Sequence, residues 1–419
     1  MRNFRAAALT GLALLGLLPA IGQQSALRAQ AQALKAKGDA AGALALFERA
    51  AESAPGDPAL RDEIGFLQAV LGRQSEAIEQ FRAALHLNPR YAPAQYHLGV
   101  ALWLRGEHTD AVSCLQEAVR LEAGNAEYHF RLAGMLLETG QDAGAFSEAH
   151  TATKLAPTRA DLWNLAGTAA QRKGDLPAAK ADFQRAVNLA PSNIAYRTAL
   201  GFALMDLGMA TEALSQFHEI LKREPDNRTA RINIGYAHLN IGDYDAALDE
   251  FRSLAAEFAD DAVIRYDLGL ALKQKDQLDE AKDAFTEALR LDPDLVQAWY
   301  TLGITRWQEG DSAGTAEAMR AAIARKPDYA EAHYMLGTAL RQTGDLEGAA
   351  AALEEAIRLN PETPGPFNAL AQVRQMQGNR EAAQKLFAQA AAVKKKAEAA
   401  QAKRLGTMAP SRDLPSIRR

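Results

Sequence analysis

Small and large apolar residues recur along this chain with a period of 34, and each period reads as two amphipathic helices joined by a tight turn. Counted from Gln24, eleven blocks follow one another without an insertion as far as Ala397. In the second half of the block, position 20 is Ala in ten blocks, with Thr315 the exception, and position 24 is Phe in seven, among them Phe47, Phe81, Phe183 and Phe285. Position 27 is Ala in nine blocks. Positions 20, 24 and 27 form the i, i+4, i+7 stripe of a helix with one buried face. In the first half, position 8 is Gly in eight blocks and Ala in three (Ala31, Ala133, Ala371). A side chain that small allows two helices to cross closely, so positions 8 and 20 are expected to form the two halves of one contact.

Position 15 is Gly in ten blocks, Asp276 being the departure, as suits a left-handed residue that ends one helix and turns into the next. Position 32 is Pro in eight blocks and stops the second helix. A lone hairpin of this kind cannot bury its apolar face, so neighbours must stack into a continuous core.

The small-large-small pattern with its terminal Pro resembles the tetratricopeptide repeat family. The resemblance implies an all-α fold, a right-handed superhelical solenoid of eleven helix-turn-helix repeats over residues 23–397. It also implies that positions 2, 5, 9, 12 and 13 of each first helix line a concave, partner-binding groove. Those positions carry an aromatic set: Phe66, Tyr96, Trp103, Phe130, Phe202, Tyr236, Tyr266, Tyr300, Trp307 and Tyr334. Tyrosines and phenylalanines at position 5 can also pack against the adjacent repeat. Trp103 and Trp307, at position 12, are the stronger candidates for contact with a partner, since aromatic anchors dominate recognition surfaces. Two specialised grooves of the family do not match. An asparagine ladder at position 6 is represented by Asn233 alone, and no three consecutive repeats supply the lysines, arginine and asparagines of the clamp for C-terminal carboxylates.

The two ends differ from the array. Arg2 and Arg5 precede an apolar run from Ala6 to Leu18, and small residues follow at Ala20 and Gly22. Residues 1–22 therefore read as a cleavable export signal, with a mature chain beginning near Gln23 and a periplasmic or secreted location. The alternative is an uncleaved anchor holding the array to a membrane. Residues 398–419 read as a capping extension of the last helix to about Leu405, followed by a basic disordered tail, because Lys395 stands where Pro would stop the helix. The formal charge is −5 overall but +6 from Lys394 onward and −13 from Gln23 to Val393. An acidic body excludes the basic footprint of a nucleic-acid binder.

Catalytic chemistry has no visible seat. The single cysteine, Cys114, cannot form an internal disulfide. The eight histidines (His86, His97, His108, His129, His150, His218, His238, His333) look scattered, without metal-ligand spacing. No phosphate-binding loop occurs, and Asn227-Arg228-Thr229 is a chance-level match to a glycosylation acceptor. No enzyme activity, metal or cofactor is expected. The expected function is an exported, non-catalytic scaffold that binds a peptide or protein in its groove during envelope-complex assembly. The alternative is a polysaccharide-binding component of a polymer export or synthesis machinery, its aromatic stripe stacking on sugar rings.

Overall fold

A computed structural model describes residues 24–407, so the expected signal at 1–22 and the tail at 408–419 lie outside the described residues. Within them the regular structure is helical throughout, as 22 helices in consecutive pairs. Internal contacts divide the chain into two compact units at Ile220/Leu221.

The N-terminal unit pairs α1 (24–36) with α2 (Ala40–Ser53), α3 (Pro58–Val70) with α4 (Gln74–Leu87), and α5 (Ala92–Leu104) with α6 (His108–Leu121). It continues with α7 (Ala126–Glu138) and α8 (Asp142–Leu155), α9 (Ala160–Arg172) and α10 (Leu176–Leu189), and α11 (Ile194–Asp206) and α12 (Ala210–Leu221). The C-terminal unit pairs α13 (Arg228–Ile241) with α14 (Tyr244–Glu257), α15 (Ala262–Gln274) with α16 (Leu278–Leu291), and α17 (Val296–Gln308) with α18 (Ser312–Arg325). Its last pairs are α19 (Ala330–Thr343) with α20 (Leu346–Leu359) and α21 (Pro364–Met376) with α22 (Arg380–Thr407).

The helix-crossing glycines meet the expected position-20 residue through its backbone, and a second, larger partner besides. A Cβ on Gly65 would stand 2.7 Å from the Phe81 ring and 3.0 Å from the carbonyl oxygen of Ala77. The same relation links Gly167 to Phe183, Gly201 to Phe217 and Gly269 to Phe285. Position 24 therefore lies over position 8, and position 20 contributes mainly its backbone. The fourth hairpin supports this reading, since there Ala133 replaces the glycine and Ala149 replaces the large side chain, both fully buried. Thr315, the exception at position 20, is also fully buried, and its hydroxyl is shared between the carbonyls of Asp311 at 2.7 Å and Gly303 at 3.2 Å.

All ten glycines at position 15 have φ between 71° and 90°, and Asp276 takes the same left-handed conformation at 62°. The turn closes in the Schellman manner, with Asp243 N–H donating to the His238 carbonyl at 2.9 Å. Position 16 then caps the second helix: Asp39, Asp175, Asp243, Asp311 and Asp345 each accept a backbone N–H three residues on.

Position 4 ties six of the first helices to the preceding turn. Trp163 Nε1 donates to the Pro157 carbonyl and Trp299 Nε1 to the Pro293 carbonyl, both at 2.8 Å. His129, Arg197, Arg265 and His333 reach the corresponding carbonyls of Ala123, Pro191, Ala259 and Pro327. The histidines are therefore less scattered than the sequence suggests: His129 and His333 share this capping position, where a ring N–H satisfies a carbonyl left open at a helix end.

First helices of successive hairpins touch one another at four places, α3 with α5, α7 with α9 and α9 with α11 in the N-terminal unit and α19 with α21 in the C-terminal unit, while no two second helices approach comparably. The first helices thus form the inner side of each unit. In the last hairpin Phe387 is 39 % exposed, and α22 runs through Gly406 to Thr407. No described helix is long and apolar enough to cross a membrane.

Candidate partner-binding face

Five of the ten groove aromatics lie in each unit. In the N-terminal unit, Phe66 and Tyr96 line an open cavity of about 270 Å³ between α3 and α5, with Val70, His97, Val100 and Leu104. Trp103 and Phe130 line a second, of about 220 Å³, with Val100, Leu104, Gly134, Met135, Glu138 and Leu165. Val100 and Leu104, one helical turn apart on α5, belong to both and form a ridge between two apolar sockets.

The charged groups around these sockets are largely spoken for. Lys35 Nζ lies 4.3 Å over the Phe66 ring while pairing with Glu63 at 2.6 Å. Phe130 is flanked by the guanidinium groups of Arg131 and Arg159, both paired with Glu127. His97 sits among Phe66, Phe81 and Tyr96 and bonds to buried Asp62 at 2.8 Å. Tyr96 in turn stacks on Tyr128 at 4.8 Å. Burial raises the pKa of the Tyr96 hydroxyl, so it remains an uncharged donor.

Trp103 is half-buried against the core with its ring edge on His108, and only part of it meets solvent. Phe202 stands apart from both sockets; it is 41 % exposed and touches Phe217.

In the C-terminal unit the tyrosines are committed to packing and hydrogen bonds. Tyr236 leans on Phe251 and donates its hydroxyl to Asp267, and Tyr266 leans on Phe285 and meets Thr301 Oγ1 at 3.3 Å. Asp267 is 1 % exposed, and burial pushes its carboxyl up to about 6. Asp182, in the N-terminal unit beside His150, is likewise pushed up to about 6 by burial. Tyr300 packs against Tyr329, and Tyr334 lines a small cavity with Pro366. Trp307 is half-buried against the core of its hairpin.

Residues outside the aromatic set complete the face. Val70 and Leu104 are 59 % and 69 % exposed, so the position-13 aliphatics are as available to a partner as any ring. Gly134 has nothing within 4 Å of its missing Cβ and forms an indentation in the second socket. Large aliphatics at position 13 and a glycine inside a first helix were the sequence signals for these residues. Among the described residues no cluster of three or more metal-ligating side chains occurs. Cys114 is half-buried under Gly99, and burial raises its thiol pKa.

Tetratricopeptide repeat patterns match residues 68–121, 105–160, 198–262 and 300–364, and further patterns of the same description match 160–193 and 262–295. The chain belongs to the tetratricopeptide repeat family. Such repeats are scaffolds suited to protein–protein interaction and are generally non-catalytic. Among solved structures, the chain is similar to the yeast Tom70 crystal structure, with 16% identity over 92% of this chain and 97% of that one, and a TM-score of 0.47. It is also similar to the hetero-tetramer Cut9-Hcn1 of APC/C (14% identity, 88% and 93% covered, TM-score 0.44). A third is MamA from Desulfovibrio magneticus RS-1 (22% identity, 41% and 97% covered, TM-score 0.38). No curated protein matches the sequence.

Proposed function

We propose that this tetratricopeptide repeat protein is an exported scaffold that holds a protein or peptide partner on the inner face of its first helices, in the assembly of an envelope complex. The observation that carries this reading is the pair of adjoining apolar sockets on either side of the Val100–Leu104 ridge. Sockets of this kind, open to solvent and rimmed by charged pairs, suit bulky side chains of a partner. The two sockets lie about one helix spacing apart, about 8–10 Å, close to the separation of residues i and i+3 on an extended peptide of the polyproline II type or i and i+7 on a helix. The export part of the reading rests on the residue pattern of 1–22. A sugar-stacking role finds less support, because Tyr236, Tyr266 and Tyr300 lean on neighbouring rings and present no free flat platform.

The test is affinity capture from an envelope extract with the mature chain, its Trp103→Ala variant, and a Trp163→Phe control that changes a tryptophan off this face. Partners captured by the mature chain and the control but lost with Trp103→Ala support the reading. Equal capture by all three removes the sockets from it, and N-terminal sequencing of the exported protein tests cleavage near Gln23.

A further inference from the structure

Three successive first helices of the C-terminal unit place Lys273, Trp307 and Arg341 at the same repeat position, the twelfth, and Gln274, Gln308 and Gln342 at the thirteenth. All three position-12 side chains are half-buried, and the three glutamines are exposed. Among the described residues neither cation has a carboxylate partner, unlike Lys275, Lys282, Arg306 and Arg325 of the same unit, which are ion-paired. Arg341 keeps its Nε buried without a hydrogen bond. Burial lowers the pKa of Lys273, with no acid nearby to offset it. Two unpaired, partly desolvated cations on the inner face are an unfavourable arrangement until an anion meets them.

We propose that this row is the seat of an acidic, extended peptide segment of a partner protein, with two carboxylates meeting Lys273 and Arg341 and an apolar side chain between them resting on Trp307. This rests on the reading of the inner face as a partner-binding surface. The chemistry narrows the occupant in three ways. A row of cation, indole and cation asks for charge, an apolar group and charge again. With neighbouring first helices about 10 Å apart, that spacing matches every third residue of an extended chain of the polyproline II type, whose three residues per turn bring i, i+3 and i+6 to one side. Carboxamides alongside offer both a donor and an acceptor, the complement of a peptide main chain. Two cations about two helix spacings apart are too sparse for a polyanion with charge on every unit. The chain's own undescribed ends do not suit, because residues 1–22 carry only basic charge and residues 408–419 are net basic.

The probe is a terminally blocked peptide, Glu-Ser-Ser-Leu-Ser-Ser-Glu, titrated calorimetrically into the mature chain beside its Gln-Ser-Ser-Leu-Ser-Ser-Gln analogue, a uronic-acid oligosaccharide and a single-stranded oligonucleotide. The acidic peptide is expected to bind at least about tenfold more tightly than the others and to weaken as salt rises. The Lys273→Gln/Arg341→Gln variant is expected to lose that preference with an unchanged helical spectrum. If that variant misfolds, the salt dependence and the comparison of the two peptides on the unaltered chain still decide. Equal binding of both peptides, abolished by Trp307→Ala, overturns the charge assignment and leaves the groove reading intact. Tighter binding of the oligosaccharide or oligonucleotide, or no binding of the acidic peptide, overturns the inference. The groove reading itself fails only if Trp103→Ala also retains every captured partner.

Discussion

The ring of Phe251 occupies the space that a side chain on Gly235 would need: a Cβ there would stand 2.5 Å from Cζ of that ring. The pairing of a missing side chain with a large one runs through the array. It changes only where both partners change, as with Ala133 and Ala149, or in the terminal hairpins. At each glycine crossing the side chain at position 24 fills the space that the missing side chain at position 8 leaves, as a close-packed interior requires.

Gly235→Leu is accordingly expected to unfold hairpins around α13 and α14, because the Phe251 ring, fully buried, has nowhere to move. Overpacking of this kind costs about 1–3 kcal/mol and in so tight a contact more. Hydrogen exchange should show protection lost first near α13 and α14, as expected where stability is a sum of repeat and interface terms. Uniform loss along the whole chain would count against it.

Among the described residues Asp276 is the one non-glycine residue with a left-handed backbone. Asp276→Gly is expected to raise the stability of the C-terminal unit by up to about 1 kcal/mol, since glycine carries no Cβ penalty in that conformation. A lowered melting temperature would mean that the carboxylate makes a contact worth more than the strain.

Burial holds the Asp267 carboxyl at about 6, above its ordinary 3.8, so the folded chain keeps this proton more tightly than the unfolded chain. The contribution to stability is then complete below about pH 4 and is lost as pH rises through about 6. Asp267→Asn keeps an acceptor for the Tyr236 hydroxyl without the buried charge. It is expected to stabilise the fold by about 2–3 kcal/mol at pH 7–8 and to make little difference near pH 4. Melting curves at the two pH values check the sign; a variant less stable at pH 8 contradicts it.

The helices, their turns and the glycine crossings were readable from spacing alone, because a residue type repeated at one position in eleven blocks reports a shared geometric need. Functions that single side chains perform once were harder to see. Trp163 and Trp103 are the same residue type on first helices, yet one closes a turn carbonyl and the other borders a socket. Only the direction of each side chain separates them. The aromatic stripe drew attention to Tyr236 and Tyr266, whose hydroxyls are engaged, and away from Val70 and Leu104, whose exposure no composition rule predicts. Lys273 and Arg341 carry no signal in the sequence, because a lone cation on a helix is ordinarily solvated and the absence of a partner appears only in three dimensions.

Trp163→Phe and Trp299→Phe are each expected to cost about 1–3 kcal/mol, mainly by leaving the Pro157 and Pro293 carbonyls without their indole donors. Their effect should appear in melting temperature, with partner capture unchanged. Trp103→Ala is expected to lower both, since its ring borders the second socket and also packs on the core. Finding the reverse division would exchange the roles assigned to the two tryptophans.

Gly134→Leu separates binding from folding most cleanly. Gly134 lies inside α7, where glycine is about 1 kcal/mol less favourable than alanine, and nothing stands within 4 Å of its missing side chain. A leucine there meets open space, in contrast to Gly235, and it improves the helix. Its side chain projects into the socket bordered by Trp103, Phe130 and Leu165, occupying much of about 220 Å³ that a partner's side chain would otherwise fill. The expected outcome is a melting temperature equal to or above that of the unaltered chain, together with loss of every partner whose capture depends on Trp103. Retention of those partners by a well-folded Gly134→Leu protein would place their contacts elsewhere on the chain.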